Sequence, residues 1–287
     1  MSVSNSLASS ARSKWEEFKP RSLPPVPSWV EPLGRAGYIA KGIVYGIIGF
    51  LAFKLAIGAG GEIAGSREAI QTIGQQPYGR ILLGIVALSL LGYTVWRLVQ
   101  AVKDTEGAGT DLRGVGQRLG YVISGLTYLA LGGFAGSIAL GMGGQSNSGN
   151  SASFLLDSTW GRLVLGVVGV ITIGVAMLFI SKGIKAKFME NYALSSMSDT
   201  QRKIAYYAGR VGLSTRGVAF AIIGGFILMS AWRGTAGGEI AGLKDALAAI
   251  AAQAYGKVLI GITGLGLICY AVHMVMTGIY RSFNVGK

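Results

Sequence analysis

One pattern of glycine, basic and aromatic residues occurs three times in this chain. The first copy runs from Gly34 through Arg35, Gly37, Tyr38, Lys41, Gly42 and Tyr45 to Gly49. The second runs from Arg118 through Gly120, Tyr121, Ser124, Gly125 and Tyr128 to Gly132, and the third from Arg210 through Gly212, Arg216, Gly217 and Phe220 to Gly224. Gly37, Gly120 and Gly212 align, as do Gly42, Gly125 and Gly217, and then Gly49, Gly132 and Gly224, always at offsets of 83 and 92 residues. Each copy opens an apolar run close to the roughly 20 residues that a helix needs to cross the hydrocarbon of a bilayer. A membrane-crossing unit repeated in one sense restricts the fold to parallel repeats about an axis along the membrane normal.

A second apolar run follows each copy. The six spans fall at 36–57, 79–102, 118–140, 161–183, 210–232 and 256–280. The second span of each pair opens alike, with Tyr78-Gly79-Arg80, Trp160-Gly161-Arg162 and Tyr255-Gly256-Lys257, and continues with Gly84, Gly166 and Gly261 in register. An interfacial aromatic beside a basic residue anchors a helix at headgroup level. The expected fold is an all-α integral membrane protein. Its six transmembrane helices form three parallel two-helix repeats in a pseudo-threefold bundle, with short interfacial helices in the outer loops. The organisation is a polar, proline-rich tail over 1–33, then repeats at 34–102, 118–183 and 209–281. Five prolines between Pro20 and Pro32 argue against a continuous helix in the tail.

Composition agrees. Hydrophobic residues make up 51% of the chain and charged residues 14%, against about 25% charged in a typical soluble domain. The 46 glycines follow no collagen period and suit closely packed membrane helices. The net charge of +13 is assigned to the membrane face, where lysine and arginine set topology and meet anionic lipid; no nucleic-acid partner is expected. The N-terminus lacks the apolar core of a cleaved signal. The lone Cys269 excludes an internal disulfide and a cysteine metal cluster, and no cofactor or metal is expected.

Nineteen lysines and arginines lie on the side of the two chain ends, including Arg35, Lys41, Lys103, Lys182 and Arg281, against seven on the other side, including Lys54, Arg80 and Lys257. By the positive-inside rule both termini are cytoplasmic. In the outer loops, Gly60-Gly61-Glu62-Ile63-Ala64-Gly65 recurs as Gly237-Gly238-Glu239-Ile240-Ala241-Gly242. Each precedes a short amphipathic pattern, Ser66 to Gln75 and Leu243 to Gln253, with Ala69, Ile70 and Ile73, and Ala246, Leu247 and Ile250, on one face. The second repeat has Gly143-Gly144-Gln145 and a serine- and glycine-rich loop instead.

All thirteen acids lie outside the spans or at their edges. That removes the mid-membrane carboxylate of a proton or sodium relay and the carboxylate pair of a membrane hydrolase, so no enzymatic activity is expected. Cys269 and His273 share a helix face at i, i+4, with nothing beside them to complete a catalytic set. Lys41, Ser124 and Arg216 occupy one repeat position, followed four residues later by Tyr45, Tyr128 and Phe220. That spacing stacks a cation under an aromatic ring. Two readings stand: the cations snorkel to the interface, or the six residues ring an axis and hold an anion. Glu62, Gln145 and Glu239 form an outer polar set, with Arg67 and Lys244 five residues beyond the two glutamates. Gly42, Gly49, Gly125, Gly132, Gly217 and Gly224 are helix-packing candidates, because each pair lies two turns apart on one face.

The pattern Arg-x-Gly-Tyr-x-x-(Lys/Ser/Arg)-Gly, then aromatic-Gly-(Arg/Lys), three times over residues 34–281, resembles the bacterial membrane family catalogued as domain of unknown function 1206. The departures are Ser124 for the basic residue, Gln145 for Glu, and Leu213 for Tyr. The resemblance implies a multi-pass protein of the bacterial plasma membrane, or of the thylakoid in a cyanobacterium, and brings no activity with it. Two functions are left open: a small transporter or channel for an anionic or neutral solute along the pseudo-threefold axis, or a non-transporting scaffold or accessory subunit that binds lipid or a larger membrane complex. With the termini inside, a cysteine placed in the loop at position 105 should react with a membrane-impermeant maleimide only after the inner face is exposed; labelling of intact cells there would reverse the topology.

Overall fold

The computed structural model describes residues 27–107, 109–142, 159–233 and 243–283. Gln145 and Glu239 lie outside the described residues, as does most of the tail. The helices, in chain order, are α1 (Val30–Ala56), α2 (Ser66–Gly74), α3 (Gly79–Lys103), α4 (Leu112–Ala139), α5 (Thr159–Lys185), α6 (Asp199–Arg233), α7 (Leu243–Ala251) and α8 (Gly256–Tyr280). Six of them, α1, α3, α4, α5, α6 and α8, are long and apolar enough to span a membrane. Among the described residues there is no strand, only an isolated bridge between Tyr192 and Arg281.

Three helices start earlier than the apolar runs suggest, and α4, with its first residue at Leu112, leads its run by six residues. α1 begins at Val30 and takes Pro32 into its first turn, where a missing N–H costs nothing because no carbonyl precedes it in the helix. α6 is 35 residues long, about 52 Å at 1.5 Å per residue, so its first turns stand clear of the roughly 30 Å hydrocarbon.

The six spans pack in the order α4, α3, α1, α8, α6, α5 around a common centre. The broadest contacts join different repeats: α1 on α8, α4 on α3, and α6 on α5. The aligned glycines lie in these three seams. A Cβ on Gly42 would come within 2.9 Å of Val275 and 3.0 Å of the Ala271 carbonyl of α8, and one on Gly49 within 2.6 Å of the Gly264 carbonyl. On α6, a Cβ on Gly217 would lie 2.9 Å from the Ala176 carbonyl, and one on Gly224 2.7 Å from Ile173 of α5. Gly125 and Gly132 of α4 meet α3 less tightly, at 3.4 and 3.3 Å. Between apolar helices in lipid there is no hydrophobic drive to associate, so this close backbone approach supplies the attraction through dispersion.

Within a repeat the contacts are narrower and unequal. Gly37 of α1 abuts the backbone of Tyr93 on α3, its Cβ position 2.7 Å from the Tyr93 Cα. Gly212 of α6 abuts the backbone of Tyr270 on α8 in the same way. Gly120 holds the equivalent place on α4 and has nothing within 4 Å. Accordingly α4 and α5 touch at most in passing, and α5 is the least buried span. The bundle is a ring with two closed repeats and a seam between the helices of the third.

The short helices fold back on the bundle. α2 buries Ala69, Ile70 and Ile73 against α1, α3 and α4, and α7 buries Ala246 and Leu247 against α6 and α8. The Glu68 carboxylate accepts from the Gly65 N–H at the start of α2, at 3.0 Å, and pairs with Lys244 of α7, also at 3.0 Å. Thus Lys244 pairs with Glu68, while Arg67 lies over the Phe134 ring of α4 and Glu62, five residues before it, stays exposed. At the opposite face, Thr105 is only 2% exposed, so the exposed Lys103 is the better site for topological labelling.

The glycine geometry predicts a contrast between aligned positions. Gly37→Leu should lower stability by about 2–3 kcal/mol or more through overpacking against Tyr93, whereas Gly120→Leu should change it by under about 0.5 kcal/mol. Thermal unfolding of both purified variants in one detergent checks this.

Candidate functional site

Lys41 sits near the middle of α1 and Arg216 near the middle of α6, and both are buried at 4% and 7% exposure. They turn into the bundle and do not snorkel. Both are packed in aromatic rings. The Lys41 ammonium lies 4.8 Å from the Tyr128 ring centroid, 5.1 Å from that of Tyr93 and 5.7 Å from that of Tyr270. The Arg216 guanidinium lies 4.7 Å from Tyr270, 4.9 Å from Phe179, 5.0 Å from Tyr45 and 5.1 Å from Phe220. The rings pack edge to face, Tyr45 on Tyr270 and Tyr93 on Tyr128. Side chains from all six spans therefore meet here.

The arrangement follows the repeat. Lys41 donates to the Tyr93 hydroxyl at 3.3 Å, and Arg216 donates to the Tyr270 hydroxyl; each tyrosine belongs to the second span of the cation's own repeat. Each cation then stacks on the aromatic residue of the next repeat, Lys41 on Tyr128 and Arg216 on Tyr45. The i, i+4 stack expected from spacing exists for Arg216 over Phe220, while Lys41 turns away from Tyr45 to the rings of Tyr128, Tyr93 and Tyr270. In the second repeat the cation position is Ser124, half-buried on α4, and the tyrosine position is Val175.

A third cation extends the set. Arg97 of α3 donates to the Tyr93 hydroxyl and to Gln100 Oε1 at 2.9 Å, with its guanidinium over the rings of Tyr93 and Tyr121. Gln100 in turn donates to Glu106 at 2.9 Å, and Glu106 accepts from Arg281. A polar chain thus runs from the loop after α3 to Lys41. Arg281 also lies over the rings of Trp96 and Tyr38, and the Trp96 indole donates to the Tyr38 hydroxyl at 3.1 Å. This layer closes the centre on the side where α1 begins and α8 ends.

Charge decides what the site can hold. Among the described residues the ion pairs are Arg35–Glu31, Arg202–Asp199, Lys244–Glu68 and Arg281–Glu106. None neutralises Lys41, Arg97 or Arg216, and the Nε atoms of Arg97 and Arg216 are buried without a hydrogen-bond partner. A cation in the hydrocarbon costs about 2.5–3.5 kcal/mol even on the insertion scale. Each desolvated cation–π contact returns up to about 2 kcal/mol, so the rings make the cations tolerable but leave their charge in place. Chemically, such a centre can attract an anion.

His273 of α8 is used elsewhere. The Tyr192 hydroxyl, from the connection between α5 and α6, lies 3.0 Å from His273 Nδ1 and 3.0 Å from Thr277 Oγ1, while Cys269 is only half-buried one turn away. The histidine pins a loop to α8. Sequence reasoning passed over Tyr93, Tyr270 and Phe179, read Arg97 as a cation snorkelling at the cytoplasmic end of its helix, and placed Glu106 only among the acids outside the spans. The first two carried a signal, since they align exactly three residues before Trp96 and His273 in two matched spans.

The sequence profile of the family described as Domain of Unknown Function (DUF1206) matches residues 36–104, 119–186 and 211–281. The chain is 34% identical over 260 residues to the uncharacterized protein YxxB of Bacillus subtilis (strain 168), covering 90% of this chain and 94% of that one. No solved structure matches.

Burial pushes the Glu106 carboxyl up, but the facing Arg281 charge and its hydrogen bond outweigh this and hold it below the ordinary value of 4.5. A depressed carboxylate adds stability above its unfolded value, and that stability is lost as pH falls through its folded value. Thermal stability should therefore drop on acidification below about pH 4.5. Glu106→Ala should cost about 3–5 kcal/mol at neutral pH by stranding Arg281, and should flatten this acid limb; melting curves across pH test both.

Proposed function

We propose a binding role from a plain premise: the chain belongs to the Domain of Unknown Function (DUF1206) family, whose description assigns no activity. It is a multi-pass, membrane-type protein of six apolar helices, and its role on our reading is to bind an anionic solute or headgroup at the bundle centre and carry it across the bilayer. The observation that carries this reading is the set of inward-turned cations, the buried Lys41 and Arg216 and the half-buried Arg97, with no carboxylate paired to them among the described residues. Ionisable groups in the interior of a membrane bundle mark ligand and ion pathways. The role is non-enzymatic, and the setting is a bacterial plasma membrane with both termini in the cytoplasm.

The centre is closed in this conformation. Tyr45, Tyr93, Tyr128 and Tyr270 are each at most 7% exposed, so a carrier that must open, rather than a standing channel, fits the geometry. The same closure favours the second reading, a scaffold that holds its anion without moving it. Flux separates the two.

Inorganic phosphate and small organic anions should raise the melting temperature of the purified protein, with stabilisation of about 2.7 kcal/mol at 100 times Kd. Lys41→Ala and Arg216→Ala should weaken that binding at least about tenfold, equal to about 1.4 kcal/mol. Anion flux into proteoliposomes that vanishes in the same variants supports carriage. Binding without flux leaves the scaffold, and no anion response in the wild type defeats the proposal.

A further inference from the structure

The ligand's route and class can be taken further, on the reading that the centre binds an anion. Two thirds of the pseudo-threefold set are complete: Lys41 with Tyr93 in the first repeat, and Arg216 with Tyr270 in the third. Each of these sectors is shut by helix contact at a glycine, Gly37 against Tyr93 and Gly212 against Tyr270. The second repeat has the small Ser124 and Val175 in the same places, and α4 and α5 do not close on each other. Among the described residues, Gly116 and Gly120 of α4 and Gly166 and Gly174 of α5 have nothing within 4 Å of a Cβ.

The two sides of this seam are backed by cations. On the α4 side, Tyr128 lies 4.8 Å from the Lys41 ammonium. On the α5 side, Phe179 lies 4.9 Å from the Arg216 guanidinium, whose Nε is buried and unpartnered. The faces of both helices beyond the seam are apolar and exposed, with Ile123 and Leu126 on α4 and Val167 and Leu178 on α5. A group that passes between α4 and α5 comes from the hydrocarbon and meets positive charge within one side-chain layer.

We propose that the central site takes the headgroup of an anionic amphiphile, a phosphate or carboxylate on an acyl chain, which enters sideways from the bilayer through the seam between α4 and α5. The headgroup lies in the second-repeat sector beside Ser124 and is held by Arg216 and Lys41, while the chain stays in the seam. The aromatic lining suits this route: Tyr128 and Phe179 need only change rotamer to admit a headgroup, while the glycine-locked sectors cannot part without separating backbones.

The test uses the full chain in nanodiscs of phosphatidylcholine doped with phosphatidylglycerol, with retained lipid counted by native mass spectrometry. Inorganic phosphate is titrated calorimetrically in a parallel arm. Wild type should retain phosphatidylglycerol in preference to phosphatidylcholine. Arg216→Gln should lower that preference at least tenfold. Gly120→Leu and Gly166→Leu, which place bulk in open space, should do the same with melting temperatures unchanged. Retention unaffected by Arg216→Gln would place the lipid elsewhere and overturn the inference. Retention lost in Arg216→Gln but kept in both glycine variants would overturn the lateral route. Phosphate binding without lipid retention would overturn the lipid and leave the anion-binding reading standing, and failure of both probes would remove both.

Discussion

Everything in this bundle depends on how closely helix backbones approach at aligned glycines. In lipid a leucine gains nothing by leaving the solvent, so the helices are held by dispersion and shape. Gly42 and Gly49 of α1 against α8, and Gly217 and Gly224 of α6 against α5, bring main chain against main chain at distances no side chain allows. Those seams fix where each span points its inner face. Lys41 precedes Gly42 and Arg216 precedes Gly217, so a seam glycine lies beside each cation and fixes its direction. The position of charge at the centre is therefore a consequence of packing, and its cost is met there by tyrosine rings instead of carboxylates.

The choice of tyrosine has a physical result. A carboxylate would cancel the cation and leave a neutral pair, inert toward a ligand. A tyrosine ring stabilises the cation through its quadrupole and its hydroxyl accepts a hydrogen bond, yet it carries no charge to compete with an incoming anion. Among the described residues the one buried acid, Glu106, is held at the margin by Arg281 and Gln100.

The number of spans, the repeat and the aligned positions were all legible in the sequence, because glycine spacing and apolar run length are local signals. So was the short amphipathic helix with Ala69, Ile70 and Ile73 inward. What the sequence hid was set by neighbours. The partner of Lys41 depends on which helix lies beside α1 and how far a flexible side chain can swing, so the i, i+4 ring lost to rings on α3, α4 and α8. Arg97 looked like an interfacial residue because the ring that draws it inward from another helix, that of Tyr121, lies on α4. Helix starts were misplaced where a proline or a polar turn is tolerated only because it lies at an end.

The second repeat shows why the departures belong together. Ser124, Val175 and the unpaired Gly120 look like three unrelated substitutions when read along the chain. In space they are one change. Without a tyrosine at position 175 there is no hydroxyl to receive a cation from position 124, so a lysine or arginine there would have one fewer partner in the hydrocarbon. Serine carries no charge to satisfy. Against α3 and α8 the matching glycines dock beneath a tyrosine whose ring turns into the centre, whereas Val175 presents a short branched side chain with no such reach, and α4 and α5 stay apart. A bundle with three complete sectors would hold three cations around one axis. Losing one sector lowers the central charge and leaves α4 and α5 apart with the same residues.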